Sequence, residues 1–422
     1  MKQCQLLLVG LLAVILPSAA SAIAQPGAAP SNPAPPPPAA TEPLPTTAFS
    51  ASHLALALRP AGATFSSDKR LPSAGTGDNP FPLIFPELRR LPAPSWLKEG
   101  TRVTYRIESA TIAQSPDATG STGAGLMQYD LVALDDALAL SSMKFYADTI
   151  DGASVVPSSV FSAQGIPGAG DYWINPQALP KAEDAASEKL AVVHMPTKIE
   201  GKTYNAVRFQ YEDKGALYVW MFEEKTGLLL FYRHEIGRET DDQRQLSSMT
   251  FVRRRQLKLP WRDGARPDWA KINARLDYEG TYTVVIPDTP DSVLPYTTRA
   301  HIKRAGDAWC LYQLRDAVSG RANAALERVT GSAQLFDGLW LAPEALKALK
   351  KVNGVIDRDP ATGAQTSVSH SRDGLTVLTE SGDAYRSALT YNRDGALINV
   401  SQEIQNGITG SRVQLKLVKL SN

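Results

Sequence analysis

The second half of this chain repeats the pattern of the first half, and this repeat constrains the fold more than any other feature. The segment YWINPQAL recurs 167 positions later as LWLAPEAL. Five more identities follow at an offset of 168, from Ala216, Gly227, Leu229, Glu235 and Ile236 to Ala384, Gly395, Leu397, Glu403 and Ile404. Because chance rarely places so many identities at two neighbouring offsets, we expect two tandem domains related by internal duplication.

The ends of the two halves match more loosely. The tripeptide Glu99-Gly100-Thr101 resembles Glu279-Gly280-Thr281, and the segment QLKL occurs at both 256–259 and 414–417. The offsets of these matches differ from those of the central matches, as insertions in surface loops would allow. The sequence therefore predicts two β-rich units, residues 96–262 and residues 270–422.

Apolar residues alternate with polar ones over many short segments. Val103, Tyr105 and Ile107 alternate with polar neighbours, which is the period-two pattern of a half-buried strand. Further strands are predicted at 126–134, 138–150, 204–211, 216–222, 228–236, 249–257 and 413–420. The expected fold is mainly β, with two antiparallel sheets or partial barrels.

Each unit is also expected to contain one short helix and a final hairpin. Pro176 and Pro343 follow the shared tryptophan by three residues, and proline is favoured in the first turn of a helix. Gly227 and Gly395 fall between predicted strands, where a tight turn requires positive φ. Both elements recur in both halves.

The first 24 residues have the pattern of a secretory signal peptide. Lys2 precedes an apolar stretch at 6–16, and either Ala20-Ser21-Ala22 or Ala22-Ile23-Ala24 provides a small-residue cleavage site. The stretch is shorter than the roughly 20 residues that span a bilayer. We expect an exported chain, periplasmic or extracellular, with no transmembrane segment after cleavage. Residues 25–95 are predicted to be a proline-rich linker and an irregular lead-in.

Charge and cysteine content exclude several classes of partner and crosslink. The formal net charge is +1, and removal of Lys2 with the signal peptide brings it to zero, so no nucleic-acid partner is expected. Cleavage also removes Cys4, which leaves Cys310 as the single cysteine and allows no intrachain disulfide. Cys310 lies in an apolar segment and is expected to be a buried small side chain.

No candidate catalytic motif lies in the structural context that its chemistry requires. Ser141-x-x-Lys144 together with Lys225-Thr226-Gly227 resembles the motif pair of penicillin-recognising serine enzymes. That chemistry requires the serine and the lysine one helical turn apart, whereas this segment has a strand pattern. The five histidines are scattered, and no metal, phosphate or dinucleotide motif is present. The prediction is a non-enzyme without a metal or cofactor.

Aromatic side chains are the remaining candidates for a functional site. Tyr218, Trp220 and Phe222 share one face of a predicted strand, and Trp173 and Trp340 recur at the same step of both units. These residues either line a site for a lipophilic ligand or fill the core, and repetition in both units favours packing. The leading hypothesis is a non-catalytic protein that binds an apolar ligand or a cell-envelope component. The alternative is a structural adaptor that binds a protein partner.

Overall fold

The computed structural model describes residues 80–113, 120–150, 153–154, 158–213, 215–237, 243–286, 288–323, 325–335, 338–382, 385–406 and 409–421. The predicted signal peptide and most of the predicted linker lie outside these ranges and stay predictions. Within the described ranges, none of the helices has the length and apolar character needed to span a membrane.

The first half of the chain forms one antiparallel sheet. Along the sheet the strands follow the order β4-β3-β2-β1-β12-β11-β10-β9-β8, and β5 also pairs with β3, while β6 and β7 pair with each other as a separate two-stranded sheet. The strands are β1 (Thr101–Ala113), β2 (Ser121–Leu134), β3 (Ala139–Ile150), β4 (Ala153–Ser154), β5 (Ser158–Gly165), β6 (Ala169–Gly170), β7 (Trp173–Ile174), β8 (Leu190–Ile199), β9 (Lys202–Asp213), β10 (Ala216–Glu223), β11 (Leu229–Ile236) and β12 (Gln243–Gln256).

The second half forms another antiparallel sheet. Its order is β16-β15-β14-β13-β23-β22-β21-β20-β19-β18, with β17 also on β15. The strands are β13 (Arg275–Val285), β14 (Ser292–Ala305), β15 (Trp309–Val318), β16 (Arg321–Ala322), β17 (Leu326–Gly331), β18 (Gly354–Arg358), β19 (Gln365–His370), β20 (Leu375–Ser381), β21 (Tyr385–Tyr391), β22 (Leu397–Asn406) and β23 (Thr409–Ser421). The predicted mainly β fold with two antiparallel sheets is confirmed. In the described residues each sheet is open, with two ends, rather than a closed barrel.

Each sheet packs against its own short helix, and each half of the chain has its own hydrophobic core. A 3-10 helix (Pro176–Ala185) follows Trp173, and an α-helix (Pro343–Leu349) follows Trp340, as predicted. Both begin with proline, and the Asn175 side chain caps the first by accepting a hydrogen bond from the Gln177 N–H at 2.9 Å. Two further short elements precede β1, namely the α-helix Phe81–Ile84 and the 3-10 helix Pro86–Arg89. They belong to the predicted irregular lead-in, and they pack on the first core.

Each half of the chain also makes the same hydrogen bonds within itself, at positions equivalent to those in the other half. The indole N–H groups of Trp96 and Trp269 donate to the carbonyl oxygens of Thr226 and Asp394, at 2.7 and 2.9 Å. The hydroxyls of Tyr105 and Tyr278 donate to the carbonyl oxygens of Leu229 and Leu397, both at 3.0 Å. These pairs extend the similarity beyond the residues matched by sequence. A common origin of the two units and the domain boundaries at 96–262 and 270–422 stay predictions.

The looser sequence matches at the ends of the units are wrong. Trp96 and Tyr105 correspond to Trp269 and Tyr278 at an offset of 173, not 180. Gly100 lies before β1 with φ of +77°, whereas Gly280 lies inside β13. The repeated QLKL segments fail in the same way, because 256–259 begins where β12 ends and 414–417 lies within β23. Short matches of common residues carry no register information.

The turn before β11 provides a test of backbone geometry. Gly227 has φ of +68°, and a Cβ atom added there would lie 1.7 Å from the carbonyl oxygen of Ile174. We expect Gly227→Ala to lower the free energy of unfolding by about 2–3 kcal/mol, since the left-handed backbone and the overpacking each cost on the order of 1 kcal/mol or more. Chemical denaturation measures this loss.

Gly201 is the matched control for this substitution. It has φ of +78°, but nothing lies within 4 Å of an added Cβ. Gly201→Ala should therefore cost only about 1–2 kcal/mol, the backbone contribution. Equal losses of unfolding free energy for Gly227→Ala and Gly201→Ala would contradict the close approach of Gly227 to Ile174.

The two sheets contact each other through an apolar cluster and an ionic cluster. Val132 and Leu140 of the first sheet pack with Leu311 and Val329 of the second. The ionic cluster joins Arg102 and Asp130 of β1 and β2, and Arg255 of β12, to Asp357 and Asp359 at the end of β18. Polar groups of the first sheet are thereby buried against the second.

Candidate functional site

The inner face of the first sheet carries a continuous group of aromatic side chains. Tyr218 and Trp220 of β10 face Tyr211 and Phe209 of β9. On the other side they face His234 and Tyr232 of β11. Residues directly opposite in an antiparallel pair share one face of the sheet. The predicted residues Tyr218, Trp220 and Phe222 therefore belong to a larger aromatic face that extends over three strands.

The rings of this face stack on one another. Tyr218 stacks on His234 with centroids 4.3 Å apart, and on Trp220 with centroids 5.6 Å apart and planes 8° from parallel. Trp220 also lies 5.9 Å from Tyr232. These rings form an aromatic wall of electron-rich ring faces from β9 to β11. Its members are Phe209, Tyr211, Tyr218, Trp220, Tyr232 and His234.

The lead-in helix covers one end of this wall. The Phe81 ring makes edge-to-face contacts with Phe209, Trp220 and Phe222 at centroid distances of 5.1, 5.4 and 5.0 Å. Phe222 is completely buried, whereas Tyr218 and Trp220 keep 6% and 8% of their surface exposed. All three residues are therefore core residues, and the exposure of the wall increases from Phe222 toward His234 of β11, which is half-buried.

The turn between β6 and β7 carries an acidic side chain. Asp171 occupies the two-residue turn between β6 and β7 and is partly exposed. Burial is the main cause that raises the pKa of the Tyr129, Tyr172 and Tyr232 phenols, and a negative charge on Asp171 raises it further. Burial raises the pKa of the Asp171 carboxyl to about 8.

His234 adds a second polar group to the same region. Burial lowers the pKa of its imidazole to about 4, so the ring is neutral near pH 7. Its Nε2 atom is buried and has no hydrogen-bond partner in the described part of the chain. An orphaned ring nitrogen at the edge of an aromatic wall is available to a ligand that can hydrogen-bond with it.

Sequence reasoning missed Asp171, His234 and Tyr232 as site residues. Asp171 lies two positions before Trp173, in the conspicuous repeat motif, but a lone aspartate carries no signal of its surroundings. His234 and Tyr232 alternate in one strand and so share one face. Pairing the predicted hairpin across Gly227 would have placed that face opposite Tyr218 and Trp220.

Trp173 and Trp340 lie in the separate cores of the two sheets. Trp173 is 1% exposed, and its indole N–H donates to the Pro167 carbonyl at 2.9 Å. The indole N–H of Trp340 points at the Cys310 sulfur at 3.1 Å. Burial raises the pKa of the Cys310 thiol to about 12. The five predicted aromatic residues therefore do not form one site.

A small cavity lies beside Trp340 in the second sheet. It has a volume of about 230 Å³ including its open side, and it is lined by residues that include Trp261, Thr330 and Gln334. Both amide atoms of Gln334 are buried without a hydrogen-bond partner among the described residues. The narrow interior suits a water molecule rather than a lipid chain.

The rejected catalytic motif is also not assembled. Ser141 and Lys144 are three residues apart in strand β3, so they point to opposite faces of the sheet. Lys225-Thr226-Gly227 is the turn between β10 and β11. Within the described ranges, no three His, Cys, Asp or Glu side chains are grouped as metal ligands.

Comparison with known proteins gives no family for this chain. No family model matches the sequence, and no curated protein matches it. Among solved structures, MucB in complex with MucA(peri) matches at 11% identity over 80% of this chain and 91% of that chain, with a TM-score of 0.20. A protein of unknown function from the DUF3598 family of Nostoc punctiforme matches at 10% identity over 75% and 95% of the two chains, with a TM-score of 0.15. Similarity at these TM-scores carries no argument about this chain.

Proposed function

We propose that this chain is an exported, non-catalytic binding protein of the periplasm or extracellular space, and that its first sheet binds an apolar molecule or cell-envelope component. One observation carries the proposal: the aromatic wall of β9 to β11 is covered by Phe81 from a four-residue helix rather than by another strand. A helix of one turn has little stability of its own. An apolar ligand can therefore replace the Phe81 ring on Trp220.

Binding can be tested on the full-length protein purified under gentle conditions. Native mass spectrometry should detect a co-purifying apolar molecule, or addition of a lipid extract should raise the Tm, because a ligand that binds only the folded state stabilises it. A protein that carries no such molecule and shows no change in Tm with the extract would contradict the proposal.

Phe81→Ala should strengthen binding of a neutral apolar fluorescent probe by about tenfold or more. A ligand that binds the wild type must displace a ring whose burial is worth about 1.5–3 kcal/mol, and the variant removes that competition. Fluorescence titration of the probe measures the change in Kd.

Phe85→Ala is the control for this effect. Phe85 belongs to the same segment and packs on Phe209 at 5.9 Å. Its removal takes the same volume from the core, so it should reduce stability without strengthening binding at Trp220. Stronger binding to both variants would indicate general loosening of the core and would count against displacement of Phe81.

A protein-binding adaptor is the second candidate function. Strand β8 pairs only with β9 among the described residues, and Val193 on this strand is 45% exposed. A free strand edge is able to pair with an extended segment of another protein. Pro196 and Lys198 on the same strand oppose such pairing, which places this candidate second. Crosslinking in the native envelope should recover one specific protein, and recovery of none would reject the adaptor.

A further inference from the structure

One end of the second sheet carries a group of exposed cations. β13 is antiparallel to both β14 and β23, so its first residues lie beside the last residues of these neighbours. Arg275 opens β13, Lys303 lies near the end of β14, Lys419 lies near the end of β23, and Lys271 precedes β13. All four residues are exposed. Neighbouring strands are about 5 Å apart, so the three strand ends lie within about 10 Å across the sheet. We call this region the basic end.

The cations of the basic end exceed the acidic groups that could neutralise them. None of the four forms an ion pair within the part of the chain that the structure describes. Asp277, the acid closest in register, pairs with Arg299 at 2.5 Å. The other acids at these strand ends are Asp268 and Asp307, which are both exposed. An excess of positive charge therefore faces solvent here.

Large apolar side chains are exposed at the same end. Ile272, Val418 and Leu420 are 54%, 52% and 38% exposed, and each is next to a lysine in the sequence. The Asn273 N–H donates to the Ile302 carbonyl at 3.0 Å, which places Ile272 beside the end of β14. A single exposed apolar residue is ordinary. Apolar side chains grouped with lysine and arginine are typical of a surface that enters the headgroup region of a bilayer.

The opposite end of the same strands has the opposite charge. Ile286 after β13 and Val293 of β14 are 38% and 58% exposed, so apolar exposure is similar there. Their charged neighbours are Asp288 and Asp291, both exposed. The formal net charge of the chain is only +1, so the molecule as a whole gives little attraction to an anionic surface. Attraction of this kind is therefore confined to the basic end.

We propose that the basic end binds the surface of a bilayer that contains anionic phospholipids. Lys303 and Lys419 contact the lipid phosphates, while Ile272 and Leu420 enter the headgroup region. A bilayer satisfies both groups of side chains, because its surface is anionic and its headgroup region admits apolar side chains. An acidic protein segment would satisfy the cations alone. This interaction does not depend on the apolar ligand proposed for the first sheet.

Cosedimentation of the full-length protein with lipid vesicles tests the proposal. One set of vesicles contains phosphatidylcholine alone, and the other contains equal parts of phosphatidylcholine and phosphatidylglycerol. At about 0.05 M salt the partition coefficient for the anionic vesicles should be at least about tenfold higher. At about 0.5 M salt most of this preference should disappear, because salt screens the attraction. Equal binding to both sets of vesicles, or binding to neither, would overturn the inference.

Two double variants separate the basic end from the total charge of the protein. Lys303→Gln combined with Lys419→Gln should lower the partition coefficient for the anionic vesicles by about 20- to 30-fold, since each lysine near the surface contributes about fivefold. Lys181→Gln combined with Lys198→Gln removes the same charge from exposed positions of the first half of the chain. That control should change the partition coefficient by less than about twofold. Equal losses in the two double variants would overturn the inference.

Ile272→Ser tests the apolar contribution, with circular dichroism as the check on folding. It should lower the partition coefficient for the anionic vesicles by about tenfold or more, because an apolar side chain no longer leaves water. Val293→Ser at the acidic end should bind as the wild type does. If soluble polyglutamate bound through Lys303 and Lys419 while vesicles did not bind, the partner would be an acidic protein segment, and the bilayer would be rejected. Each of these failures leaves apolar binding by the first sheet intact.

Discussion

Replacing Arg102 by methionine is expected to lower the free energy of unfolding by about 3–5 kcal/mol, because it removes the arginine that binds the buried carboxylate of Asp130 and one of the two arginines at Asp359. Arg102 is 4% exposed and binds Asp130 through two hydrogen bonds of 2.6 Å. It also lies 3.3 Å from Asp359 of the second sheet. Methionine fills a similar volume, so the loss reports the charge rather than a cavity. Equilibrium denaturation in urea measures it.

Arg412→Met provides the comparison for this variant. Arg412 pairs with Glu403 at 2.7 Å, but both side chains are more than 40% exposed. Exposed pairs contribute about 0–1 kcal/mol, so Arg412→Met should change stability little. Similar losses for the two arginine variants would contradict the buried character of the Arg102 cluster.

The pH range over which the cluster persists follows from Asp359. Burial alone would raise the pKa of its carboxyl, but Arg102, the backbone N–H of Thr362 and Arg255 outweigh burial and lower it to about 2. An aspartate with a lowered folded-state pKa stabilises the fold above its unfolded value of about 3.9 and loses that contribution as pH falls toward 2. The difference in stability between wild type and Arg102→Met should therefore persist at pH 5.

The repeat and the alternation of apolar residues were enough to predict the fold class. Val103, Tyr105 and Ile107 lie in β1 as expected, and the helices after Trp173 and Trp340 start at the predicted prolines. Such features depend on residues close together in the chain. Strand β8 was missed because Leu190–Ile199 is an edge strand with two exposed faces over most of its length, so its pattern shows no clear alternation.

Sequence patterns could not predict the contacts between the two sheets, nor could they predict the residues of the candidate site. Arg102 and Asp359 are 257 residues apart, and only the folded chain brings them together. Arg255 belongs to a run of three arginines, Arg253-Arg254-Arg255, in β12, and this run does not reveal the carboxylates that Arg255 binds. The raised pKa of Asp171 likewise results from burial in the folded chain. Long-range pairing of single polar residues leaves no periodic signal.

Trp173→Ala is expected to lower the free energy of unfolding by about 3–5 kcal/mol, because removal of a fully buried tryptophan side chain leaves a cavity and removes its packing contacts. Trp173 is 1% exposed and packs against Tyr129 at a centroid distance of 5.8 Å. A Cβ atom at Gly170 would lie 2.2 Å from its ring, so the backbone of β6 lies directly on the indole. Urea denaturation measures the loss.

Trp173→Phe distinguishes packing from a role in binding. Phenylalanine keeps much of the ring volume and loses the hydrogen bond to the Pro167 carbonyl, so the loss should be smaller than that of the alanine variant. Both variants should bind octanol at the Trp220 wall with affinities that follow the fraction of folded protein. If Trp173→Ala kept its stability but lost octanol binding, Trp173 would be a ligand contact instead of a core residue. The tryptophan repeated in both units would then mark a second binding surface. Because Trp173 is buried beneath Gly170, we expect a loss of unfolding free energy instead.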